Sequence, residues 1–173
     1  MSRAYASLVV ALLVLPACPL LDVDADVQDA CVTYQDIAVD AMPPVAGTLD
    51  KSFAVSDLGG LKTLADAGFD MTFESGSVRP SSGITDMSFV QSATITITSN
   101  DTSLSPIDFD CANCGSAAAE LDVAPSGSGD AKPYIESGAL VVELSMTGVP
   151  PSVAWTMDVD VCMSGHDAVQ VDE

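Results

Sequence analysis

Val153-Ala154-Trp155-Thr156-Met157-Asp158-Val159-Asp160-Val161 alternates so that Val153, Trp155, Met157, Val159 and Val161 share one face and Thr156, Asp158 and Asp160 the other. A period of two is that of a half-buried β-strand, because successive side chains of an extended chain point to opposite faces. The same period recurs in Leu140, Val142, Leu144 and Met146, and in Ala93, Ile95 and Ile97, which alternate with Thr94, Thr96 and Thr98. Weaker strands are expected at Val32 to Ala38, Ser52 to Ser56, Phe69 to Glu74, Met87 to Val90, Ile107 to Asp110 and Ala119 to Val123.

Between these segments lie turn formers: Ser-Gly at Gly76, Pro80-Ser81-Ser82-Gly83, Ser99-Asn100-Asp101, Ser126-Gly127-Ser128-Gly129 and Gly148-Val149-Pro150-Pro151. The last joins the two strongest strands and predicts a hairpin. Two short helical turns fit Leu58 to Ala67, where Leu58, Leu61 and Leu64 share a face, and Pro133 to Ser137. About nine short strands separated by turns predict an all-β chain, an antiparallel β-sandwich of immunoglobulin-like or jelly-roll type, rather than a parallel α/β fold. No repeat of fixed period interrupts it.

The first residues have another character. Arg3 is the only charge before Asp22, and Leu8 to Leu15 is an unbroken apolar run, the layout of a signal peptide. Pro16 and Pro19 break the second half of the uncharged stretch, which argues against a spanning helix. Leu15-Pro16-Ala17-Cys18 resembles the lipobox of bacterial lipoproteins, with Pro16 where that family usually has Ala or Ser. The resemblance implies cleavage before Cys18 and acylation of Cys18, so that lipid, not protein, is the membrane partner. It covers only the first 18 or so residues. The departure at Pro16 leaves ordinary cleavage near Ala17 and a secreted soluble protein as the alternative. Pro19 stands where an aspartate retains some of these proteins at the inner membrane, which favours the outer membrane of the cell envelope.

These readings divide the chain into a signal peptide (1–17), a lipidated acidic tether (18–30), a sandwich domain (31–164) and an acidic tail (165–173). The chain carries 25 acidic residues against five Lys and Arg, a formal net charge of −20. Such a surface repels nucleic acid and anionic headgroups and so excludes both as partners; a protein or glycan partner remains.

Cys31, Cys111, Cys114 and Cys162 are left once Cys18 is assigned to the lipid, an even number in an exported chain and therefore two expected disulfides. Cys31 opens the first expected strand and Cys162 closes the last, so one pairing ties both ends of the domain and leaves Cys111-Ala112-Asn113-Cys114 as a local loop; crossed pairings stay open. A thiol-redox role for Cys111 and Cys114 is the weaker alternative, since Asp108 and Asp110 beside them disfavour a thiolate. A four-cysteine zinc site lacks a second Cys-x-x-Cys.

Catalytic constellations lack parts. His166 is the single histidine, no Gly-x-Ser-x-Gly elbow accompanies it, and no phosphate-binding loop occurs. The chain is therefore expected not to be an enzyme and to need no cofactor, with calcium the exception to weigh. Asp22, Asp24 and Asp26 have the opening spacing of an EF-hand loop, but Val27 and Thr33 occupy the turn and bidentate positions. Asp101, Asp108, Asp110 and Asp130 lie at strand ends and are candidate calcium ligands. The leading expectation is a non-catalytic envelope lipoprotein whose rigid sandwich is structural or presents a partner-binding surface. A calcium-dependent adhesion or matrix protein is the alternative.

Overall fold

A computed structural model describes residues 26–55, 58–101, 103–116, 119–127 and 129–167. The expected signal peptide, Cys18, most of the tether and the last six residues of the tail lie outside the described residues. The fold is all-β. Strands β1 (Asp26–Val39), β2 (Gly47–Val55), β3 (Phe69–Ser82), β4 (Val90–Ser99), β5 (Ile107–Cys111), β6 (Leu121–Pro125), β7 (Leu140–Gly148) and β8 (Trp155–Asp167) are joined with two short helices, α1 (Gly59–Asp66) and α2 (Lys132–Glu136). Both helices fall on the segments whose spacing predicted them.

The strands form one eight-stranded sheet in the order β1-β8-β3-β6-β5-β4-β7-β2, with antiparallel neighbours throughout. The sheet curls until its two edge strands meet, and the Tyr34 ring of β1 lies 4.3 Å from the Phe53 ring of β2. Curling encloses one core, with Phe73, Val78, Ile95, Ile97, Phe109, Leu144, Met157 and Val159 all buried. This is the same inward column that the two-residue period marked in β4, β7 and β8.

Five details differ from the expectations. Ser75-Gly76 and Pro80-Ser81-Ser82, expected as turns, lie inside β3, where the register with β8 shifts between Phe73 and Ser75 and again between Pro80 and Ser82, so these residues make bulges in a continuous strand. Eight strands are present among the described residues rather than nine, because Met87 is buried in the turn ahead of β4 and Val90 is already the first residue of that strand. β7 and β8 do not form a hairpin: β7 pairs with β4 and β2, and β8 with β1 and β3. Residues 149–154 instead cross between the two halves of the sheet, and Pro150-Pro151, with no amide hydrogens, suits a crossing better than a tight turn. β8 begins at Trp155, leaving Val153 48% exposed and outside the apolar face. Finally, β1 starts at Asp26 and β8 runs to Asp167, so paired strands extend beyond both ends of the expected domain. Backbone ladder bonds such as those of Asp26 opposite His166 do not require apolar side chains, and the acidic composition there hid the strand.

The antiparallel register gives the molecule two ends. At the base lie the start of β1, the end of β8, both helical connections and the β4–β5 turn. At the tip lie four connections: 40–46 between β1 and β2, 83–89 between β3 and β4, 112–120 between β5 and β6, and 149–154 between β7 and β8. β1 is 14 residues long, so the tip stands roughly 40 Å from where the chain enters the fold.

Candidate functional site

The apolar surface of the described residues is concentrated at the tip. Val45, Val149 and Val153 are the large exposed apolar side chains, at 64%, 41% and 48%, and all three sit in tip connections. Val45 also lines an apolar pocket of about 130 Å³ whose other walls include Met42, Leu49, Phe89, Met146 and Pro150. Each wall has a local cause. Leu49 and Met146 are cross-strand partners on the inner face where β2 and β7 pair. The Phe89 ring is braced edge-on against Trp155 at 5.7 Å, and the Val149 amide donates to the Phe89 carbonyl at 3.2 Å.

Glycine is required at position 148, because a Cβ there would stand 2.0 Å from the Phe89 carbonyl oxygen. The chain therefore closes β7 directly against the start of β4. The Gly115 amide donates to the Val90 carbonyl at 2.8 Å, tying the β5–β6 connection to the same place. Asp86, also at the tip, accepts hydrogen bonds from the Ser88 hydroxyl at 2.5 Å and the Ser88 amide at 3.0 Å. The Ser88 hydroxyl and then its amide hold the Asp86 carboxyl below the usual carboxylate range.

All four cysteines expected to be oxidised are bonded, Cys31 to Cys162 and Cys111 to Cys114. The first bond links directly opposed residues of β1 and β8 on the outer face of the sheet. The second closes the Cys-x-x-Cys loop at the tip, where Cys111 and Cys114 pack against the core and Asn113 braces the loop. The Asn113 side chain donates to the Glu120 carbonyl and to Asp122 Oδ2, each at 3.0 Å, and accepts from the Asp122 amide at 3.0 Å.

Of the calcium candidates, only Asp108 and Asp130 are brought together: they line one open pocket with Ser105, Ser126 and Tyr134, whose lining includes neither Asp101 nor Asp110. Asp108 and Asp110 project from β5, where Asp108 accepts from the Thr96 hydroxyl at 2.7 Å and Asp110 from the Thr94 hydroxyl at 3.4 Å. Asp101 lies in the β4–β5 turn and accepts from the Ser103 amide at 2.9 Å, while Asp130 accepts from the Lys132 amide at 3.2 Å ahead of α2. Hydrogen bonds from Ser103, the amide first, lower the Asp101 pKa. Among the described residues no group of three or more His, Cys, Asp or Glu could hold a metal ion.

Two other polar features stand apart from the tip. Arg79 of β3 reaches Asp158 at 3.5 Å and Asp160 at 3.2 Å, both carboxylates being largely covered. A bulge in β1 puts Asp36 at a φ of 55°, a backbone conformation Asp tolerates better than most residues. The Asp36 amide then donates to Asp158 Oδ1 at 2.9 Å.

The tip pocket is the feature that sequence reading missed. Its signal was present in two uncharged, proline-containing connections, Ala41-Met42-Pro43-Pro44-Val45-Ala46 and Val149-Pro150-Pro151-Ser152-Val153, which only the sheet order brings to the same end.

No helix of the described residues is long and apolar enough to cross a membrane. No protein-family model matches the chain and no curated protein matches it. Among solved structures it is similar to a chain from Desmodium yellow mottle tymovirus at 11% identity and a TM-score of 0.29, over 92% of this chain and 97% of that one. A superposition this loose carries no argument about function.

Proposed function

We propose that this chain is a non-catalytic cell-envelope lipoprotein, acylated at Cys18, whose β-sandwich holds a partner-binding tip away from the membrane. The observation that carries the reading is the polarity of the molecule: the chain enters the fold at the base, and the apolar pocket with its exposed valines is at the opposite end. An exposed apolar side chain such as Val45, seated on the rim of an apolar pocket, marks a binding site better than one standing alone on a charged surface. The lipobox-like segment ahead of the domain supplies the anchor, since several buried acyl chains make dissociation from a bilayer very slow.

The strand order supports a jelly roll as the finer architecture. Taken as two facing halves, β1-β8-β3-β6 and β5-β4-β7-β2, it is the eight-stranded double Greek key of that fold. One fold serves many functions, and function is therefore sought in the site rather than in the fold itself.

Intact mass and membrane fractionation of the mature protein test the anchor. A diacyl or triacyl increment on a chain starting at Cys18, lost together with membrane retention in Cys18→Ser, is the expected result. An unlipidated chain starting near Cys18, recovered in the soluble fraction, overturns the anchor and leaves a secreted protein.

A further inference from the structure

We propose that the tip pocket receives one aliphatic or aromatic side chain from a basic polypeptide segment. The inference rests on the reading of the tip as a partner-binding end, and it names the partner's chemistry.

Size sets the first limit. An apolar cavity of about 150 Å³ holds a benzene molecule, so a pocket of about 130 Å³ takes one side chain and no more. Walls built from Met42, Leu49, Phe89 and Met146 offer an apolar ligand methyl, methylene and ring contacts but provide no charged group to orient a polar one. Two methionines among those walls let the pocket adapt to a branched or a flat side chain. The Gly148 and Val149 contacts to the Phe89 carbonyl fix the pocket before any ligand arrives, which reduces the ordering cost of binding.

Charge sets the second limit. The three connections that supply walls of the pocket, 40–46, 83–89 and 149–154, contain Asp40 and Asp86 and no Lys or Arg. Asp86 accepts two hydrogen bonds from Ser88 and stands exposed three residues ahead of Phe89 in the chain. A second copy of this chain, at −20, and an anionic bilayer would both be repelled from such an end. A segment with Lys or Arg on either side of its apolar residue is attracted and steered to it.

The test uses the mature protein in detergent and three labelled peptides with the cores Lys-Lys-Leu-Lys-Lys, Lys-Lys-Ser-Lys-Lys and Glu-Glu-Leu-Glu-Glu, read by fluorescence anisotropy. Trp155, the single tryptophan of the chain, touches Phe89 and gives a second, label-free signal from the pocket itself. The expected result is binding of the basic leucine peptide about tenfold tighter than either control, a change in Trp155 emission, and loss of both in Val45→Lys. Val45 is 64% exposed, so that variant folds. Lys132→Ala at the base is expected to bind normally.

Equal binding of the serine peptide means charge attraction without a pocket and overturns the proposal, as does binding unaffected by Val45→Lys. Preference for phosphatidylcholine vesicles over every peptide overturns it in favour of a lipid. Peptide binding by an unlipidated chain sinks the anchor and leaves this inference standing; membrane retention without peptide binding does the reverse.

Discussion

The two disulfides differ in the length of chain they close, and that difference predicts very unequal contributions to stability. In the chain-entropy account, a cross-link removes about 2.1 cal/mol/K plus 1.5R ln n from the unfolded ensemble, where n is the closed loop. Cys31 and Cys162 are separated by 131 residues, which gives about 5 kcal/mol at 25 °C. Cys111 and Cys114 are separated by 3, which gives about 1.6 kcal/mol. Cys31 and Cys162 face each other in register on the outer face, so serine at both positions leaves the β1–β8 ladder in place and exposes the entropic term. At about 2–4 °C per kcal/mol for a domain of this size, Cys31→Ser/Cys162→Ser is expected to lower Tm by roughly 10–20 °C. Cys111→Ser/Cys114→Ser is expected to lower it by roughly 3–6 °C on the same scale. Chemical unfolding in urea supplies the free energies, with the wild type measured under identical oxidising conditions. Two variants of equal stability, or a larger loss from the short loop, would refute the reasoning and place the stabilisation in local packing instead.

Further outcomes follow from single residues. The Tyr34 hydroxyl is buried without a hydrogen-bond partner, so Tyr34→Phe is expected to stabilise by about 1 kcal/mol in thermal melts. Burial raises the pKa of Tyr34, and burial followed by the charge of Asp130 raises that of Tyr134. The unfolded chain thus ionises first, and stability is expected to hold up to the ordinary tyrosine value of 10.0 and fall as pH rises beyond it, less steeply in Tyr34→Phe. Arg79→Ala leaves Asp158 and Asp160 facing each other; a loss of about 1–2 kcal/mol is expected, shrinking when salt screens the repulsion. Gly148→Ala forces the Phe89 backbone aside and is expected to cost about 3 kcal/mol in urea unfolding and to alter Trp155 emission. Chelator is expected to leave Tm unchanged, because among the described residues no three His, Cys, Asp or Glu side chains converge on one point.

The strands with uninterrupted alternation were legible because one face of each is buried and the other is not. β4, β7 and most of β8 have the phase read from Ile95, Leu144 and Val159. β1 was harder to read because its inward column slips by one residue, from Val32 and Tyr34 to Ile37 and Val39, where the Asp36 bulge inserts an extra residue. That slip is visible in the sequence, but only a partner strand tells a bulge from a loop. The connection from β7 to β8 was misread because proximity in sequence favours pairing, while the curled sheet places β7 and β8 in opposite halves. The tip pocket could not be read at all: its walls come from segments as far apart as Met42, Phe89 and Met146, and only the sheet order joins them.

The bond between Cys31 and Cys162 also determines how the molecule carries mechanical load. A pull on the chain ahead of Asp26, directed away from the tip, runs along β1 and loads in shear the pairs of Asp26 with His166, Val27 with Gly165 and Ala30 with Met163, up to the covalent link at Cys31. Past that point the tension passes sideways into β8, which is hydrogen-bonded along most of its length to β1 on one side and β3 on the other. Shearing a doubly paired strand requires many bonds to fail together. If the chain is anchored and binds as proposed, a ligand tugging at the tip loads the pairs of β1 ahead of Cys31, while the tip keeps its shape under tension.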